Sequence, residues 1–251
     1  MENIQIIIYS IIQGITEFLP VSSSAHLYLI QNAFNWDDNL LLFALGAHLG
    51  TFLAVIFYNR KLFKSNTKNR PFIFAIISSI PVIFIGGIIG IYGYDYYKSN
   101  LFIIALACIL GGILLDLSDN YKSEKKHRNK IKLVDCLVIG LFQTLALIPG
   151  MSRSGSVITA MRFLGITRKL SLKYSLLTGI PVLFSASIFG LYKLTFLNYL
   201  DTLKFVIIII ISFTTALITI NFFFRWIQAF SFRIFSIYRV LLGILILIYL
   251  S

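Results

Sequence analysis

Long apolar runs alternate with short polar segments along this chain. Six of the runs are each about long enough to cross a bilayer as a helix, and they occupy residues 40–58, 71–92, 101–118, 174–192, 205–223 and 234–250. Two further runs, at 4–19 and 134–148, would form helices only about 24 and 22 Å long, whereas the hydrocarbon core is about 30 Å thick. The pattern therefore predicts an all-α, polytopic integral membrane protein with six transmembrane helices and two shorter helical arms.

Each short arm ends at a proline that is followed by a cluster of serines. The segment QGITEFLPVSSSAH occupies residues 13–26, and QTLALIPGMSRSGS occupies residues 143–156. Proline disfavours helix in the residue before it, and serine is a strong N-cap that can start a new helix. We therefore expect two re-entrant broken-helix hairpins, at residues 3–30 and 134–161. For the first of them a kinked full span is the alternative, because charge near the N-terminus does not decide between the two.

The two hairpins divide the chain into halves of the same design. Three apolar spans follow each hairpin, and the second copy begins 130 residues after the first. Because three crossings are an odd number, the second half must be inverted relative to the first. We interpret residues 1–251 as a single membrane domain made of two inverted repeats, 1–118 and 133–251. Inverted repeats with broken helices are typical of transporters, in which the functional site lies where the two breaks meet.

Charge adds the expected topology to this picture. The chain is 58% hydrophobic, yet it carries 22 Lys and Arg and a net charge of +12. Seventeen of these basic residues fall in alternate loops, at 59–70, 119–133, 162–173 and 224–233. The loops between them, 31–39, 93–100 and 193–204, hold only three. This is the positive-inside pattern of a multi-pass membrane protein, and it indicates contact with anionic membrane lipids rather than with nucleic acid.

The second broken segment has the composition of an anion-binding turn. Gly150 and Gly155 allow close backbone approach, and peptide N–H groups at the start of a helix attract anions. Arg153 adds a planar guanidinium suited to bidentate phosphate binding, and it stands between Ser152 and Ser154. These residues predict an oxyanion or phosphate cradle. The alternative is that the serines only cap helices and that the arginine neutralises a carboxylate of the first hairpin.

One acidic residue, Glu17, lies deep in an apolar segment, whereas the others sit at segment ends or in loops. A charge at mid-membrane costs about 2.5–3.5 kcal/mol on insertion scales, so it normally has a function and a partner. Glu17 is therefore a candidate general base or a metal ligand through its oxygens. Gln13 lies four residues earlier on the same helix face, where it can form a hydrogen bond but cannot act as a base.

A serine cluster and a histidine follow Glu17 in the first broken segment. Ser22, Ser23 and Ser24 precede His26 by two to four positions. The histidine could act as general acid or base for a serine, or attack phosphorus itself.

Four other residues in or near apolar runs have simpler interpretations. His48 is expected to pack in the core or to support the site. Arg239 lies five residues into the last span and is expected to reach the inner membrane interface with its long side chain. Cys108 and Cys136 are expected to be packing residues, because two thiols in apolar runs form neither a disulfide framework nor a metal site.

The two broken segments resemble the signature regions of the bacterial undecaprenyl-diphosphatase family, also called the bacitracin-resistance protein family. The resemblance rests on GITEFLPVSSSAH and LIPGMSRSGS, and it extends to HLGTFLAV (48–55), GITRKLSLKYSLLTGIP (165–181) and SIYR (236–239). It implies hydrolysis of a polyprenyl diphosphate lipid carrier to the monophosphate used in cell-wall synthesis. It also implies a divalent cation, Mg²⁺ or Ca²⁺, and an active site that faces the periplasm or the exterior of a bacterial inner membrane.

Matched residue by residue, the chain keeps most of the site that the resemblance implies. The motif glutamate falls on Glu17, the motif serines on Ser22 and Ser23, and the histidine on His26. The Ser-Arg-Ser of the second motif falls on residues 152–154.

The chain departs from the family pattern at two carboxylate positions. Family members typically have a glutamate where this sequence has Gln13, and often a further carboxylate where it has Ala44. The resemblance therefore implies a weaker metal site or a weaker base here, or a metal that relies on oxygens of the substrate.

These residues lead to one catalytic hypothesis. Arg153, the backbone at 152–156 and a divalent cation hold the diphosphate, and Glu17 positions the metal or takes a proton. Ser23, activated by His26 or Glu17, attacks the terminal phosphorus, and water then releases phosphate. Direct attack by His26 or by water stays open. The remaining candidates for substrate binding are Gln13, Ser22, Ser24, Gly150, Ser152, Ser154 and Gly155.

Two other functions fit parts of the pattern. A polyprenyl-phosphate transporter or flippase would bind the lipid at the same mid-membrane site without metal-dependent phosphate release. A phosphatase of the type 2 phosphatidic acid phosphatase kind also uses serine, histidine and arginine, but the sequence lacks its lysine-to-arginine-proline and His-x-x-x-Asp patterns. A homodimer is kept as a candidate assembly.

Overall fold

The computed structural model describes residues 2–36, 40–64, 70–92, 100–121, 128, 130–193 and 199–250. The α-helices within these ranges are α1 (Glu2–Thr16), α2 (Ser23–Ala33), α3 (Leu40–Lys64), α4 (Arg70–Tyr92), α5 (Leu101–Asn120), α6 (Leu133–Thr144), α7 (Arg153–Phe163), α8 (Arg168–Lys193), α9 (Tyr199–Ala229) and α10 (Arg233–Leu250). A 3₁₀ turn, Leu145–Leu147, extends α6. Among the described residues, β pairing is limited to one isolated bridge between Arg128 and Ile166, so the predicted all-α class is confirmed.

Six of these helices are long and apolar enough to cross a membrane, and they fall on the six predicted runs. The two short apolar arms are also present, as Ile4–Thr16 and Leu133–Leu147. Helices α3 and α9 continue past the predicted ends at residues 58 and 223. Neither 59–64 nor 224–229 contains a proline or a glycine. Because these are the residues that most readily interrupt a helix, both helices can continue into the polar residues. The inversion of the second half stays a prediction.

The two predicted repeats are intertwined: helices of one pack against helices of the other. Following the predicted repeat, α1 to α5 are paired in chain order with α6 to α10. The first arm, α1, packs mainly on α9, while its counterpart α6 packs on α4, which is the counterpart of α9. Two further interfaces join counterparts directly, α3 with α8 and α5 with α10. Each short arm is therefore held in place by a long helix of the other half.

Small residues allow α1 and α3 to approach α9 closely. A Cβ on Gly14 would lie 2.9 Å from the Ser212 carbonyl oxygen, and one on Gly50 would lie 2.6 Å from the Ile209 carbonyl oxygen. Small residues at such contacts are the usual way for membrane helices to gain packing contacts, because lipid tails remove the hydrophobic driving force between them. This close packing positions the polar residues that follow Gly14 on α1.

Asp119, near the end of α5, ties together three parts of the second half. Arg162 Nε donates to its Oδ1 at 2.9 Å, Arg168 donates to both carboxylate oxygens at 2.8 Å, and the Phe232 amide donates to Oδ2 at 3.2 Å. The carboxylate is almost fully buried. It therefore fixes the end of α7, the start of α8 and the turn before α10 with respect to one another.

We expect Asp119→Asn to lower the free energy of unfolding by about 3 kcal/mol, because it leaves two guanidinium groups beside a neutral side chain in a buried site. Reversible unfolding of the purified protein in SDS would measure the loss. Asp116→Asn is the matched control: Asp116 lies one turn earlier on α5 and reaches Arg233 only at 3.9 Å through partly exposed side chains. The control should change the free energy by less than about 1 kcal/mol, and equal losses in the two variants would contradict the prediction.

Candidate active site

The two turns between the short helices have the same unusual backbone. Ser22 caps α2 with φ +74° and Ser152 caps α7 with φ +63°. Each hydroxyl accepts a hydrogen bond from the amide three residues later, at 3.5 and 3.2 Å. Each also lies near the hydroxyl of the serine two residues later, at 3.1 and 3.2 Å. Non-glycine residues with positive φ are strained, and such strain clusters at functional sites. The two turns are therefore candidates for the functional site.

The two turns lie directly against each other. Arg153 Nη2 donates to Glu17 Oε1 at 3.1 Å, and the Ser154 hydroxyl donates to the Leu19 carbonyl oxygen at 2.8 Å. In the same direction, the Gly150 amide of the second turn donates to Ser24 Oγ of the first at 3.3 Å. Three hydrogen bonds therefore join the turns, and one of them is an ion pair.

Glu17 is buried and both of its carboxylate oxygens have partners. Arg153 binds Oε1, whereas Oε2 accepts hydrogen bonds from Gln13 Nε2 at 2.9 Å and from the Ser23 hydroxyl at 3.1 Å. His48 Nδ1 lies 4.0 Å from the same Oε2 and 3.1 Å from Gln13 Nε2. The carboxylate is thus next to a hydroxyl that it could deprotonate and a guanidinium that neutralises it.

Arg153 is held in a fixed position but keeps one unused donor. Its Nη1 donates to the Ser175 carbonyl oxygen at 2.8 Å. The guanidinium fits beside α8 because residue 179 is glycine: a Cβ there would lie 2.9 Å from Arg153 Nη1. Arg153 Nε is buried and has no hydrogen-bond partner among the described residues. A buried donor without a partner is costly, so this nitrogen is an unsatisfied donor on a residue that lines the cavity described next.

A cavity of about 200 Å³ lies between the turns. Its polar lining is formed by Glu17, Ser22, Ser23, Ser24, His48, Ser152 and Arg153. Its apolar lining comes from α4, α8 and the 3₁₀ turn, through residues such as Val82, Leu147 and Leu183. The structure therefore brings most of the predicted site residues to one chamber that has an apolar wall.

His26 is not part of that chamber. Its Nδ1 lies 2.7 Å from the Ser22 carbonyl oxygen and its Nε2 lies 2.6 Å from the Tyr238 hydroxyl, with the two rings stacked. It lines a separate apolar cavity with Trp226 and Phe235. Neither ring nitrogen contacts a serine hydroxyl, so this geometry does not support the expectation that His26 activates Ser23. The sequence could not decide this, because the direction of the ring is set by contact with α10.

Three other residues have roles that differ from the predicted ones. Gly150 (φ +99°) and Gly155 do not line the cavity. A Cβ on Gly150 would lie 2.5 Å from the Ile104 carbonyl oxygen, and one on Gly155 would lie 2.9 Å from Arg239 Nη1. Both glycines therefore make room for neighbouring protein groups rather than for a ligand. Arg239 does not extend to a membrane interface. It is 1% exposed and donates to the Gly150 and Met151 carbonyl oxygens. The buried cysteines Cys108 and Cys136 are free thiols.

The oxygens around Glu17 suit a hard divalent cation. Within the described ranges, no group of three or more His, Cys, Asp or Glu side chains could hold a metal ion by itself. However, Gln13, whose Nε2 donates to Glu17 Oε2 at 2.9 Å, has a buried Oε1 without a hydrogen-bond partner among the described residues. Mg²⁺ commonly binds through one or two carboxylates together with phosphate oxygens of the substrate. Glu17, Gln13 Oε1 and the Ser23 hydroxyl therefore form an incomplete oxygen site that a phosphate could complete.

Two contributors to the site were not predicted for it. His48 lines the cavity beside Glu17, although the sequence suggested only packing or support; its position at the start of the HLGTFLAV segment was the available signal. The Ser175 carbonyl oxygen orients Arg153. A contact with a backbone oxygen does not depend on which side chain the residue carries, so the sequence could not predict it.

Comparison with known proteins gives one consistent result. A family model described as "Bacitracin resistance protein BacA" matches residues 6–245. An undecaprenyl-diphosphatase of Pelagibacter ubique is 39% identical, covering 98% of this chain and 96% of the relative. Similar proteins of the same name from Methanococcus aeolicus and Idiomarina loihiensis are 37% and 36% identical, covering 99% and 98% of this chain and the same shares of the relatives. The chain therefore belongs to the bacitracin resistance protein BacA family.

Proposed function

We propose that this protein hydrolyses undecaprenyl diphosphate to the monophosphate and inorganic phosphate, which returns the lipid carrier to cell-wall synthesis. The observation that carries the proposal is the ion pair of Arg153 and Glu17 across the two turns, in a serine-lined cavity. A guanidinium beside a helix N-terminus suits phosphate, and a carboxylate beside a hydroxyl suits proton transfer. The relatives named above are all undecaprenyl-diphosphatases, which supports the same substrate.

The second turn would hold the diphosphate. Arg153 has a free Nε, and its Nη2 can exchange Glu17 for a phosphate oxygen without moving far, because Ser175 keeps Nη1 in place. The N–H groups of Arg153 and Ser154, the first two of α7, have no intrahelical acceptors and would add further donors. The apolar wall of the cavity, from α4 and α8, would receive the first isoprenoid units. Binding and charge neutralisation are the main contributions to phosphoryl transfer.

Ser23 is the nucleophile in this proposal, and Glu17 is its base. The Ser23 hydroxyl already donates to Glu17 Oε2 at 3.1 Å, so Glu17 accepts that proton as the bond from Ser23 Oγ to the terminal phosphorus forms. The bond from this phosphorus to the bridging oxygen breaks, and the lipid monophosphate leaves with the electron pair. Water then attacks the phosphoserine, and Glu17 returns the proton to Ser23 Oγ as inorganic phosphate is released.

Direct attack by water is the alternative for the same residues. In that case Glu17 deprotonates the water, and Ser23 only positions it. A rapid acid quench separates the two routes, because only the first one leaves phosphate covalently attached to the protein.

A divalent cation, Mg²⁺ or Ca²⁺, completes the proposed site. Glu17, Gln13 Oε1 and the Ser23 hydroxyl would hold it together with phosphate oxygens of the substrate. When bound, such a cation neutralises developing negative charge on the phosphoryl group. Because Gln13 contributes a neutral oxygen, we expect this chain to need more cation than a relative with a carboxylate at that position.

The location of the site is also a proposal. The excess of basic residues in alternate loops supports a plasma membrane protein whose hairpin turns meet inside the membrane, and the family resemblance supports a site open to the periplasm or exterior. A homodimer is proposed as its assembly. Mass measurement of the protein in lipid nanodiscs tests the homodimer directly.

The test of the function is phosphate release from undecaprenyl diphosphate by the purified protein, with Mg²⁺, with Ca²⁺ and with a chelator. Metal-dependent release supports hydrolysis. The transporter alternative predicts binding of the lipid without release, and it is disfavoured by the names of the relatives. Movement of a labelled polyprenyl phosphate between vesicle leaflets, with no phosphate release under any condition, would replace the proposal by that alternative.

The position of His26 leads to a separate prediction. We expect His26→Gln and Tyr238→Phe to lower kcat by similar factors of about five, because each removes a hydrogen bond worth about 1 kcal/mol that holds α2 against α10. Steady-state assays of both variants would measure this. A loss above a thousandfold in His26→Gln alone would instead identify His26 as a direct proton acceptor.

A further inference from the structure

Arg239 on α10 is a fully buried cation that the proposed reaction does not use. It is 1% exposed and makes no ion pair with a described carboxylate. Its Nη2 donates to the carbonyl oxygens of Met151 at 2.9 Å, Gly150 at 3.1 Å and Ala107 at 3.4 Å. An ionisable residue inside a membrane protein is costly and normally functional. Here its acceptors identify the function, because two of the three belong to the second turn.

The sequence of α5 and α7 is adapted to this side chain. A Cβ on Gly111 would overlap Arg239 Nη2 and would lie 2.7 Å from Cζ. A Cβ on Gly155, at the start of α7, would lie 2.9 Å from Arg239 Nη1. The guanidinium therefore occupies a space that exists only because both neighbours are glycine.

The contact with Met151 fixes the direction of a peptide N–H. The bond between Met151 and Ser152 is trans, so the carbonyl oxygen of Met151 and the N–H of Ser152 point in opposite directions. When Arg239 holds that carbonyl oxygen, the Ser152 N–H is turned away from Arg239. Ser152 and Arg153 line the cavity between the turns, so the peptide that Arg239 orients lies next to the cavity.

The same contacts support the strained backbone of the turn. Gly150 has φ +99° and Ser152 has φ +63°, and strained residues persist only where the surroundings hold them in place. Arg239 contacts the carbonyl oxygens of residues 150 and 151, which lie between these two positions. A positive charge on the carbonyl side also polarises the peptide and strengthens its N–H as a donor.

We infer that Arg239 is a positioning residue for the phosphate-binding turn: it holds the carbonyl oxygens of Gly150 and Met151 so that the Ser152 N–H and the N-terminus of α7 face the anion. This inference rests on the proposed function only in taking the ligand to be a diphosphate. Arg239 does not touch the ligand, and it acts through the backbone. It differs in this respect from Arg153, which faces the cavity itself.

The test measures binding of methylenediphosphonate, a diphosphate that cannot be hydrolysed, to the full-length protein in detergent. We expect Arg239→Met to weaken this binding by at least about tenfold, which corresponds to 1.4 kcal/mol. Arg239→Lys keeps the charge and loses the planar fork, so it should fall between Met and wild type. The matched control is Arg233→Met, on the same helix, whose side chain is 68% exposed; it should bind as wild type does.

A second pair of variants keeps Arg239 in the chain. Gly111→Ala should displace the guanidinium and weaken binding, whereas Gly87→Ala should not, because a Cβ on Gly87 meets nothing within 4 Å. Thermal unfolding of every variant is measured alongside. A role in stability alone would lower the unfolding temperature but leave the dissociation constant of the folded protein unchanged. Wild-type affinity in any folded Arg239 or Gly111 variant would overturn the inference.

The assay also separates this inference from the proposed hydrolysis. If the wild type binds the diphosphonate but releases no phosphate from the lipid, the proposed hydrolysis is contradicted while the variant series still decides the role of Arg239. If the wild type hydrolyses the lipid and the variants show an unchanged KM, only the role of Arg239 is contradicted.

Discussion

Arg153→Ala is expected to lower kcat/KM for phosphate release by about a thousandfold or more, while the protein still folds. Arginines that neutralise phosphoryl groups in the transition state contribute about 10³–10⁵ in rate. Arg153 is the cationic side chain in the polar lining of the cavity, and its Nε has no hydrogen-bond partner among the described residues. Arg153→Lys should recover only part of the loss, because an ammonium cannot contact Ser175, Glu17 and phosphate in one plane. Steady-state assays with undecaprenyl diphosphate give both values.

The control for this prediction must remove an arginine without touching the site. Arg60→Ala serves, because Arg60 is exposed and, among the residues that the structure describes, donates to the Phe57 carbonyl oxygen within its own helix. Thermal unfolding separates lost catalysis from lost structure, since Glu17 would be left without its partner. A folded Arg153→Ala protein that works at the wild-type rate would rule out the proposed site.

Glu17→Gln is the second change with a large expected effect. It keeps the shape of the side chain but removes the base and the charged oxygen ligand, so kcat should fall by about 10²–10⁴. The hydrogen bonds from Gln13 and Ser23 both end on Oε2, so loss of the charge affects nucleophile and proposed cation together. Added Mg²⁺ or Ca²⁺ should not restore the rate at any concentration. A variant that keeps its phosphate release would show that another group accepts the proton.

Gln13→Glu is the companion to that variant. It replaces the amide of Gln13, whose Oε1 has no partner among the described residues, by a second carboxylate. The variant then has the glutamate that the family typically has at this position. Half-maximal activity should then need about tenfold less divalent cation, because oxygen sites bind more tightly as ligand charge rises. An unchanged cation requirement would remove Gln13 from the proposed cation site.

The sequence was sufficient for the helices because hydrophobic length is a local property. Runs of about twenty apolar residues indicate helices long enough to span a membrane, and runs of about fifteen that end at Pro20 or Pro149 indicate shorter, interrupted helices. The ends of α3 and α9 were predicted less well. A helix continues through polar residues, such as those at 59–64, when no proline or glycine interrupts it. Hydropathy measures only where apolar residues end, so it places the end of the helix too early.

The site was predicted in part, for reasons that can be traced to single residues. Glu17, the serines and Arg153 were identifiable because each places polar chemistry in an apolar segment. The direction of His26 depends on Tyr238, more than two hundred residues away in the chain. The buried position of Arg239 depends on the glycines of α5 and α7. Neither contact can be predicted from the neighbouring residues in the sequence. For that reason His26 was predicted to be a catalytic base and Arg239 to reach the membrane interface.

The intertwined packing of the two predicted repeats has a consequence for biosynthesis. The first arm, α1, packs mainly on α9, whose first residue, Tyr199, is made long after Thr16. At about 5–20 residues per second, a ribosome needs on the order of ten to forty seconds to cover that interval. During this time Gln13 and Glu17 are in the membrane without the neighbours that later enclose them. The nascent first half must therefore be tolerated as a polar, incompletely packed intermediate, and the candidate active site is complete only after α9 has been made.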